Sequence, residues 1–364
     1  MTRIRVLVAD DSVVIRKIVS DLLAQDPDIE VVGTAVNGRA CLQKVAHLQP
    51  DVVTMDVEMP EMDGIEAVRR LRESGSRIPV IMFSTLTERG ASATLDALAA
   101  GASDYVPKPA NVGSVGRSME QVRDALIPRI KSLVPRPGTP TGTGTPVAPV
   151  ASPLRPPAAP PAGGHRLLVI GSSTGGPDAL TRLLGDLPRL PVPIAVVQHM
   201  PPVFTRQFAA RLDRQLDVDV VEASHGEPLR PGTVTIAPGD HHLEVVATAG
   251  GLATRLTQAP PENYCRPAVD VLFRSAVGAV GLAVLAVVLT GMGSDGCKGA
   301  ATIVDAGGSV LVQDQATSVV WGMPGAVAGA GLAEQVLPLD RIAPAVVRRL
   351  AAPHPVVAAA GVRA

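Results

Sequence analysis

The chain has 364 residues, a formal net charge of −1 and an aromatic content of 2%. A net charge this close to zero gives no overall basic field, which disfavours nucleic acid or a membrane surface as the general partner. The scarcity of aromatic side chains also disfavours a base-stacking platform, whereas the length allows two or three domains with apolar cores.

The N-terminal half alternates short apolar runs with helical patterns. This alternation predicts five βα units and a mostly parallel sheet. Helices are expected, for example, at Val13–Ala24 and Gly64–Glu73. Open α/β sheets bind ligands at the carboxyl ends of their strands, so the residues that follow each strand matter most. The predicted strands are Arg5–Ala9, Glu30–Ala35, Val52–Asp56, Val80–Ser84 and Asp104–Val106.

Acidic residues stand at two of these strand ends. Asp10 and Asp11 end the first strand, and Asp56 ends the third. Carboxylates that meet at one sheet edge repel each other, and either a divalent cation or an ammonium group relieves the repulsion. We therefore predict a Mg²⁺ site made by these acids and a backbone carbonyl near Glu58, with Lys108 balancing the remaining charge. Such a site can transfer a phosphoryl group to a carboxylate, although a single aspartate here is more often a helix N-cap.

Three motifs of this half resemble the receiver domain of two-component response regulators. They are Val-Ala-Asp-Asp-Ser, Met-Asp-Val-Glu-Met-Pro-Glu-Met-Asp-Gly and Lys-Pro at residues 108–109, within a resemblance that covers about residues 1–123. It implies a flavodoxin-like fold in which Asp56 accepts the phosphoryl group and in which Asp10 and Asp11 form the metal-binding acid pair.

The same resemblance implies a phosphorylation switch. Ser84 corresponds to the hydroxyl that turns toward the phosphate, Tyr105 to the aromatic residue whose rotamer follows the switch, and Lys108 to the phosphate-binding lysine. Strand position alone assigns Ser84, so Thr85 and Thr87 remain alternatives.

A proline-rich segment with Gly, Thr and Ala runs from about Pro135 to Gly164. This composition cannot form a core and predicts an extended, semi-rigid linker. The expected organisation is a receiver domain over residues 1–123, a helical end and linker over 124–164, a catalytic domain over 165–352 and a tail over 353–364.

The second half opens with a predicted strand, Leu167–Ile170, followed by Gly-Ser-Ser-Thr-Gly at residues 171–175. Gly-x-Ser-x-Gly at a strand end is typical of a nucleophile elbow, because its glycines permit a tight turn that lifts the central hydroxyl above the sheet. The pattern predicts Ser173, rather than Ser172, as the nucleophile of an acyl transfer. Short Gly/Ser loops without this function are also common.

Two later loops supply a base and an acid. His199 follows the next strand-like run, and Asp295 lies in a glycine-rich loop after the predicted strand Val284–Leu289. A histidine there can act as a general base, oriented by an aspartate; alternatively, each could serve a structural turn. Neither glycine-rich loop matches a dinucleotide-binding or P-loop motif. The histidines that end no comparable strand are His225, His241 and His242.

Together these motifs resemble the catalytic domain of chemotaxis protein-glutamate methylesterases over about residues 165–350. The resemblance implies a Rossmann-like serine esterase domain with a Ser173–His199–Asp295 triad. It also implies that Thr174 assists beside the nucleophile and that the Met292 backbone serves the oxyanion hole. The segments that carry it are Gly171–Pro177, Gln198–Pro202, Ala237–Asp240, Arg266–Pro267, Val269–Phe273, Leu289–Gly296 and Gly322–Pro324.

The chain departs from this family pattern at two positions. Ser294 stands where asparagine is expected, and Cys265 stands where a histidine is usual. Neither departure removes a triad member, but the first could change the position of Asp295 and the second the contacts with substrate. The resemblance also implies that Arg266 and Pro267 lie near the site.

Cysteine usage and hydropathy indicate the compartment. Cys41, Cys265 and Cys297 are widely separated and form neither a zinc motif nor a disulfide framework. The chain begins without a signal-peptide layout. Its longest apolar stretch, Ala276–Leu289, is shorter than the ~18 residues of a spanning helix and predicts a helix turn followed by a buried strand. We expect a cytoplasmic protein without a membrane-inserted segment.

The two resemblances imply an α/β protein of two doubly wound parallel-sheet domains joined by a proline-rich linker. They imply a phosphorylation-activated esterase that hydrolyses glutamate γ-methyl esters on methyl-accepting chemoreceptors and deamidates specific receptor glutamines. A histidine kinase would supply the phosphoryl group, Mg²⁺ would serve phosphorylation, and the esterase reaction would need no cofactor. Two alternatives remain, a binding-only output domain and a hydrolase of a different ester or amide. A DNA-binding output is disfavoured because no basic helix-turn-helix pattern is present.

Overall fold

The computed structural model describes residues 3–108, 115–134, 154–156, 161 and 163–351. Over these residues the chain forms two α/β units, and each is built on a parallel sheet. Most of the predicted linker, the predicted tail at 353–364 and Pro109 lie outside the described residues.

The first unit has a five-stranded parallel sheet in the order β2-β1-β3-β4-β5. Strand order reverses at β1, so helices cover both faces and the carboxyl ends of β1 and β3 are neighbours. All five predicted strands are present, and each agrees with its prediction to within one residue. The elements are β1 (Ile4–Ala9), α1 (Val13–Leu23), β2 (Ile29–Ala35), α2 (Gly38–Leu48), β3 (Val52–Asp56), α3 (Gly64–Glu73), β4 (Val80–Ser84), α4 (Glu88–Ala99), β5 (Asp104–Pro107) and α5 (Val115–Leu133).

Side-chain caps begin four helices of this unit soon after the strands end. Ser12, Asn37, Asp63 and Thr87 each accept a hydrogen bond from a backbone N–H group in the first turn of α1, α2, α3 and α4, respectively. Each cap satisfies an otherwise unpaired donor at the start of its helix. Three of the loops between strand ends and helix starts have two or three residues and the loop after β3 has seven, and each ends in a cap that fixes the start of the helix.

The second unit has a seven-stranded parallel sheet in the order β14-β13-β12-β6-β7-β9-β8. The two units together confirm the predicted fold class. The elements are β6 (Leu167–Ser172), α6 (Gly176–Asp186), β7 (Ile194–Gln198), α7 (Pro202–Gln215), β8 (Asp219–Glu222), β9 (Thr233–Ile236), β10 (His242–Thr248), β11 (Gly251–Thr257), α8 (Val269–Val280), β12 (Val284–Val288), α9 (Cys297–Asp305), β13 (Ser309–Gln313), α10 (Met323–Gly329), β14 (Gln335–Leu337) and α11 (Leu339–Ala351).

An antiparallel hairpin of β10 and β11 forms a separate two-stranded sheet in this unit and was not predicted. Its inward side chains, including Leu243, Val245 and Leu252, are buried in the same core as Phe273 of α8. The hairpin is held by this packing against a helix that follows it in the chain, which a local sequence pattern does not reveal.

The long apolar stretch divides as predicted. Helix α8 ends at Val280, a single 3₁₀ turn covers Gly281–Ala283, and the stretch then enters the buried strand β12. Among the residues that the structure describes, no helix combines the length and apolarity needed to cross a membrane.

Helices α8 and α9 approach closely at Gly299. A Cβ atom there would lie 2.5 Å from the Cβ of Phe273 and 3.1 Å from the Cα of Asp270. We expect Gly299→Ala to destabilise the second unit by about 1–3 kcal/mol, because both neighbours are buried and cannot yield. Gly278→Ala in α8 is the matched control: its Cβ would meet open space, and the change should stabilise by about 0.5–1 kcal/mol. Urea unfolding midpoints of the two variants measure this difference, and equal midpoints would contradict it.

Candidate functional site

The carboxyl edge of the first sheet gathers three carboxylates and an ammonium group. One oxygen each from Asp10, Asp11 and Asp56 lies within 4.8 Å of the others. The Nζ atom of Lys108 lies 2.9 Å from Oδ2 of Asp10 and 2.7 Å from Oδ2 of Asp56. Because β1 and β3 are adjacent and parallel, with Ala9 opposite Met55, the residues that follow them meet at one edge. The structure thus brings together the acids and the lysine that the sequence singled out.

The electrostatics of this cluster favour an added cation. Burial, with a smaller contribution from the charge of Asp10, raises the pKa of Asp56 to about 6 against the lowering effect of Lys108. Burial lowers the pKa of Lys108, but its hydrogen bonds to Asp56 and Asp10 outweigh this and raise it above its ordinary value. One ammonium therefore does not fully compensate the buried carboxylates, and their oxygens are the ligands that a hard divalent cation prefers.

A cleft of about 240 Å³ opens beside the cluster, and both Asp56 and Lys108 line it. Glu58 lines it too, but its exposed carboxylate pairs with Arg89 at 3.4 Å rather than joining the three aspartates. The sequence predicted that a backbone carbonyl near Glu58 binds the metal, and this role stays a prediction.

Three hydroxyl residues at and just after the end of β4 have different surroundings. Ser84 is buried, and its Oγ donates to the carbonyl of Gly90 at 3.1 Å. Thr87 caps α4 through Gly90 N–H at 3.0 Å, and Thr85 lies at the cleft beside Ser84. Tyr105 on β5 is buried, and this burial raises the pKa of its phenol. Ser84 and Thr85 both line the cleft, so the switch role of Ser84 stays a prediction.

In the second unit, β6 runs to Ser172 and the turn that follows it carries Ser173. Ser172 is paired across the sheet with Gln198, and its Oγ donates to Oε1 of Gln198 at 2.7 Å. The carbonyl of Ser173 accepts from Gly176 N–H at 2.7 Å, and Gly175 has a φ of 75° that favours glycine. The hydroxyl of Ser172 is thus used in the sheet, and Ser173 is the serine of the tight turn. Thr174 lies in the same turn.

His199 follows β7 as Ser173 follows β6. Its backbone N–H donates to the Ser172 carbonyl at 3.1 Å, which ties the two strand ends together. Its Nε2 lies 2.8 Å from Oδ2 of Asp295, with the two side chains only 13% and 2% exposed. A direct hydrogen bond therefore joins two of the predicted triad residues, His199 and Asp295. The third, Ser173, begins the turn that leaves the same edge of the sheet.

Asp295 is fixed by the start of α8. Its Oδ2 accepts from Val269 N–H at 2.7 Å, and its Oδ1 accepts from Asp270 N–H at 3.0 Å. Burial alone would raise the pKa of Asp295, but the hydrogen bond and charge of His199, together with these N–H groups, lower it below its ordinary value. The free N–H groups of a helix N-terminus thus keep the carboxylate ionised and aimed at the imidazole.

Two residues of this network were missed by sequence reasoning. Asn263 donates through Nδ2 both to Oδ1 of Asp295 and to Oδ2 of Asp270, each at 2.9 Å. Asp270 also accepts from Gly299 N–H at 2.6 Å. No sequence motif predicts these contacts, because they join residues of a surface turn, of the start of α8 and of a distant glycine-rich loop.

The competing histidines have other contacts. Nδ1 of His225 accepts from Leu256 N–H at 3.2 Å, and Nδ1 of His241 lies 3.4 Å from the carbonyl of Gly239. His242 is buried, and its Nδ1 accepts a hydrogen bond from Ala268 N–H at 3.2 Å. Within the described residues, His199 is the histidine whose ring forms a hydrogen bond with a buried carboxylate, that of Asp295.

Four neighbouring positions complete the description. Met292 is half-buried beside Gly293 in the loop before Asp295, and Ser294 in that loop is exposed. Cys265 Sγ lies 3.5 Å from His199 Nδ1. Arg266 follows Cys265 and pairs through Nη2 with Asp240 at 2.5 Å. The oxyanion role of Met292 and the assisting role of Thr174 stay predictions.

Comparison with known proteins gives matches over both units. The family model for CheB methylesterase matches residues 168–346, and that for the response regulator receiver domain matches residues 6–117. A protein-glutamate methylesterase/protein-glutamine glutaminase of Nocardioides sp. is 77% identical over 363 residues, covering 99% of both chains.

A relative of the same name from Trichodesmium erythraeum is 46% identical over 96% of this chain and 100% of its own. Among solved structures, the CheB methylesterase catalytic domain of Thermotoga maritima is 44% identical with a TM-score of 0.50. It covers 51% of this chain and 98% of its own.

Proposed function

The chain belongs to the protein-glutamate methylesterase/protein-glutamine glutaminase family, and we propose that it carries out both named reactions on chemoreceptors. In the first, a glutamate γ-methyl ester is hydrolysed to glutamate and methanol; in the second, a receptor glutamine is hydrolysed to glutamate and ammonia. The observation that carries this proposal is the His199–Asp295 hydrogen bond of 2.8 Å, at the sheet edge where the turn of Ser173 begins.

The esterase step follows from these groups. Ser173 Oγ attacks the ester carbonyl carbon while its proton passes to His199. Because Nε2 of His199 faces Asp295, Nδ1 is the nitrogen left to take that proton. The C–O bond to the methoxy group then breaks, and His199 returns the proton so that methanol leaves. Water, activated by the same histidine, cleaves the acyl-Ser173 intermediate.

Charge on the carbonyl oxygen needs N–H donors during both steps. The backbone N–H of Met292 is proposed for this role, since the glycines on either side of it let the loop approach a substrate closely. Thr174 is proposed to assist beside the nucleophile. In the glutamine reaction the same groups act, with ammonia as the leaving group.

Phosphorylation of Asp56 is proposed to raise this activity. The carboxylates of Asp10, Asp11 and Asp56 fit a hard divalent cation, and Mg²⁺ bound there would offset charge on the transferred phosphoryl group. Lys108 holds the acceptor carboxylate at 2.7 Å and is positioned to bind phosphate oxygens. A chemotaxis-type histidine kinase is the proposed donor. Ser84 and Tyr105 are proposed to carry the resulting change to the rest of the protein.

The domain boundaries and the compartment are proposed as the sequence indicated. A receiver domain over 1–123 and a catalytic domain over 165–352 are supported by the family matches to 6–117 and 168–346. A cytoplasmic location is supported by the cysteines, since Cys41, Cys265 and Cys297 all carry free thiols.

Replacing Asp56 tests the proposed regulation. We expect a small phosphodonor with Mg²⁺ to raise methanol release from methylated receptor membranes several-fold for the wild-type chain and not at all for Asp56→Asn. The variant removes the acceptor oxygen but leaves the second unit intact, so its unstimulated rate should equal that of the wild type. If the phosphodonor also raised methanol release by Asp56→Asn, Asp56 would not be the regulatory phosphoryl acceptor. The absence of any methanol release from cognate receptors, with Asp56 phosphorylation verified by mass, would favour a different ester or a binding-only output.

A further inference from the structure

The general base has a second partner that the esterase reaction does not use. Cys265 Sγ lies 3.5 Å from His199 Nδ1, while His199 Nε2 lies 2.8 Å from Asp295. The imidazole of His199 therefore contacts a thiol through one nitrogen and a carboxylate through the other. This order of groups activates cysteine nucleophiles in general, because the imidazole takes the thiol proton and the carboxylate stabilises the imidazolium.

A tight turn holds the thiol in this position. Glu262 and Cys265 exchange two backbone hydrogen bonds, of 3.1 and 2.8 Å, and the residues between them, Asn263 and Tyr264, have φ values of 51° and 64°. Residues other than glycine rarely adopt positive φ values, so contacts outside the turn must stabilise it. Asn263 supplies one of them, at 2.9 Å from Asp295. The thiol and the carboxylate are thus fixed by the same short segment.

The thiol can also be reached from solution. Cys265 is half-buried, and the tip of its turn, at Tyr264, is fully exposed. Burial lowers the pKa of His199, but its contacts with Cys265 and Asp295 outweigh this and raise it, so the neutral imidazole is a stronger base toward a neighbouring proton donor. An imidazole beside an accessible sulfur takes the thiol proton as the sulfur reacts.

We propose that Cys265 is a reactive thiol, a covalent modification site for soft alkylating electrophiles, and that its modification stops the esterase. The thiol proton passes to His199 Nδ1, and the thiolate attacks the electrophilic carbon. A C–S bond forms, the leaving group departs with its electron pair, and the proton is released to solvent. The new substituent then stands beside Nδ1, the atom that must receive the Ser173 proton. This last consequence rests on the proposed function, whereas the reactivity of the thiol does not.

The other two cysteines provide internal controls. Cys297 is in the same unit, also half-buried, and its Sγ lies 3.6 Å from the carbonyl of Ala326. Burial and the nearby Asp270 raise its pKa. Cys41 is buried, and this burial raises its pKa to about 12. Neither thiol faces an imidazole, so both should react slowly.

Labelling of the full-length protein with iodoacetamide, read by peptide mass spectrometry, tests the reactivity. At neutral pH we expect Cys265 to be alkylated at least about tenfold faster than Cys297, because an imidazole can take the proton of the Cys265 thiol and none faces Cys297. The His199→Gln variant should lose most of this advantage. Equal rates at Cys265 and Cys297 would overturn the proposal even if the variant fails to fold.

The activity of the alkylated protein tests the consequence. Methanol release should fall in proportion to alkylation at Cys265 in the wild type and in Cys297→Ser. In Cys265→Ser, whatever its starting rate, iodoacetamide should cause no loss. Full activity after complete alkylation of Cys265 would refute the inhibitory part. Rapid labelling in a protein that releases no methanol before treatment would contradict the proposed function and leave the reactive thiol supported.

Discussion

Replacing Ser173 by alanine is expected to lower kcat for methanol release by at least about 10⁴-fold, because the acyl-enzyme route is lost and only substrate binding and the oxyanion donors remain. The KM for receptor should change little, since the hydroxyl bonds to the reacting carbon rather than to the receptor helix. Single-turnover methanol release from receptor membranes with radiolabelled methyl groups measures both quantities. A residual kcat within tenfold of the wild type would eliminate Ser173 as the nucleophile.

The adjacent serine provides the matched control. Ser172 is buried, and its Oγ donates to Gln198 Oε1 at 2.7 Å. Ser172→Ala removes this buried hydrogen bond and should cost about 1–2 kcal/mol of stability, while kcat stays within a few-fold of the wild type. Urea unfolding and the methanol assay, applied to both variants, separate the structural serine from the reactive one. The reverse pattern would move the nucleophile to Ser172.

The sequence predicted positions best where a candidate residue ends or directly follows a buried strand. Asp56, Ser173 and His199 each stand at or directly after a short apolar run, and such runs can be recognised locally. Parallel pairing then gathers these residues at one sheet edge. The same logic placed Lys108 beside Asp56, at 2.7 Å in the structure.

Residues that depend on long-range packing were not predictable. Asn263 reaches Asp295 from a turn 32 residues earlier in the chain, and the hairpin of β10 and β11 packs on a helix that follows it. Cys265 could be recognised as a departure from the family pattern, but its contact with His199 emerges only from the folded turn. In each case the deciding contact joins segments whose spacing carries no periodic signal.

Replacing Asp295 by asparagine should have the second largest effect, a fall in kcat of about 10⁴-fold, because the amide retains the shape but no longer stabilises the imidazolium. The pH profile should also shift in a defined direction. Asp295 raises the pKa of His199, so removing its charge lowers that pKa. Since the base works in its neutral form, the acid limb of kcat against pH should move to lower pH.

Asp270→Asn separates this effect from a loss of folding. Asp270 is a buried carboxylate that shares Asn263 with Asp295, yet the carboxylate bonded to His199 is that of Asp295. The control should therefore lose stability, measured by urea unfolding, while its acid limb stays where it is in the wild type. If both variants shift the limb equally, the field of the whole cluster rather than the His199–Asp295 hydrogen bond sets the basicity of the imidazole. If Asp295→Asn leaves both kcat and the limb unchanged, Asp295 serves only to hold the start of α8, and another group must orient the base.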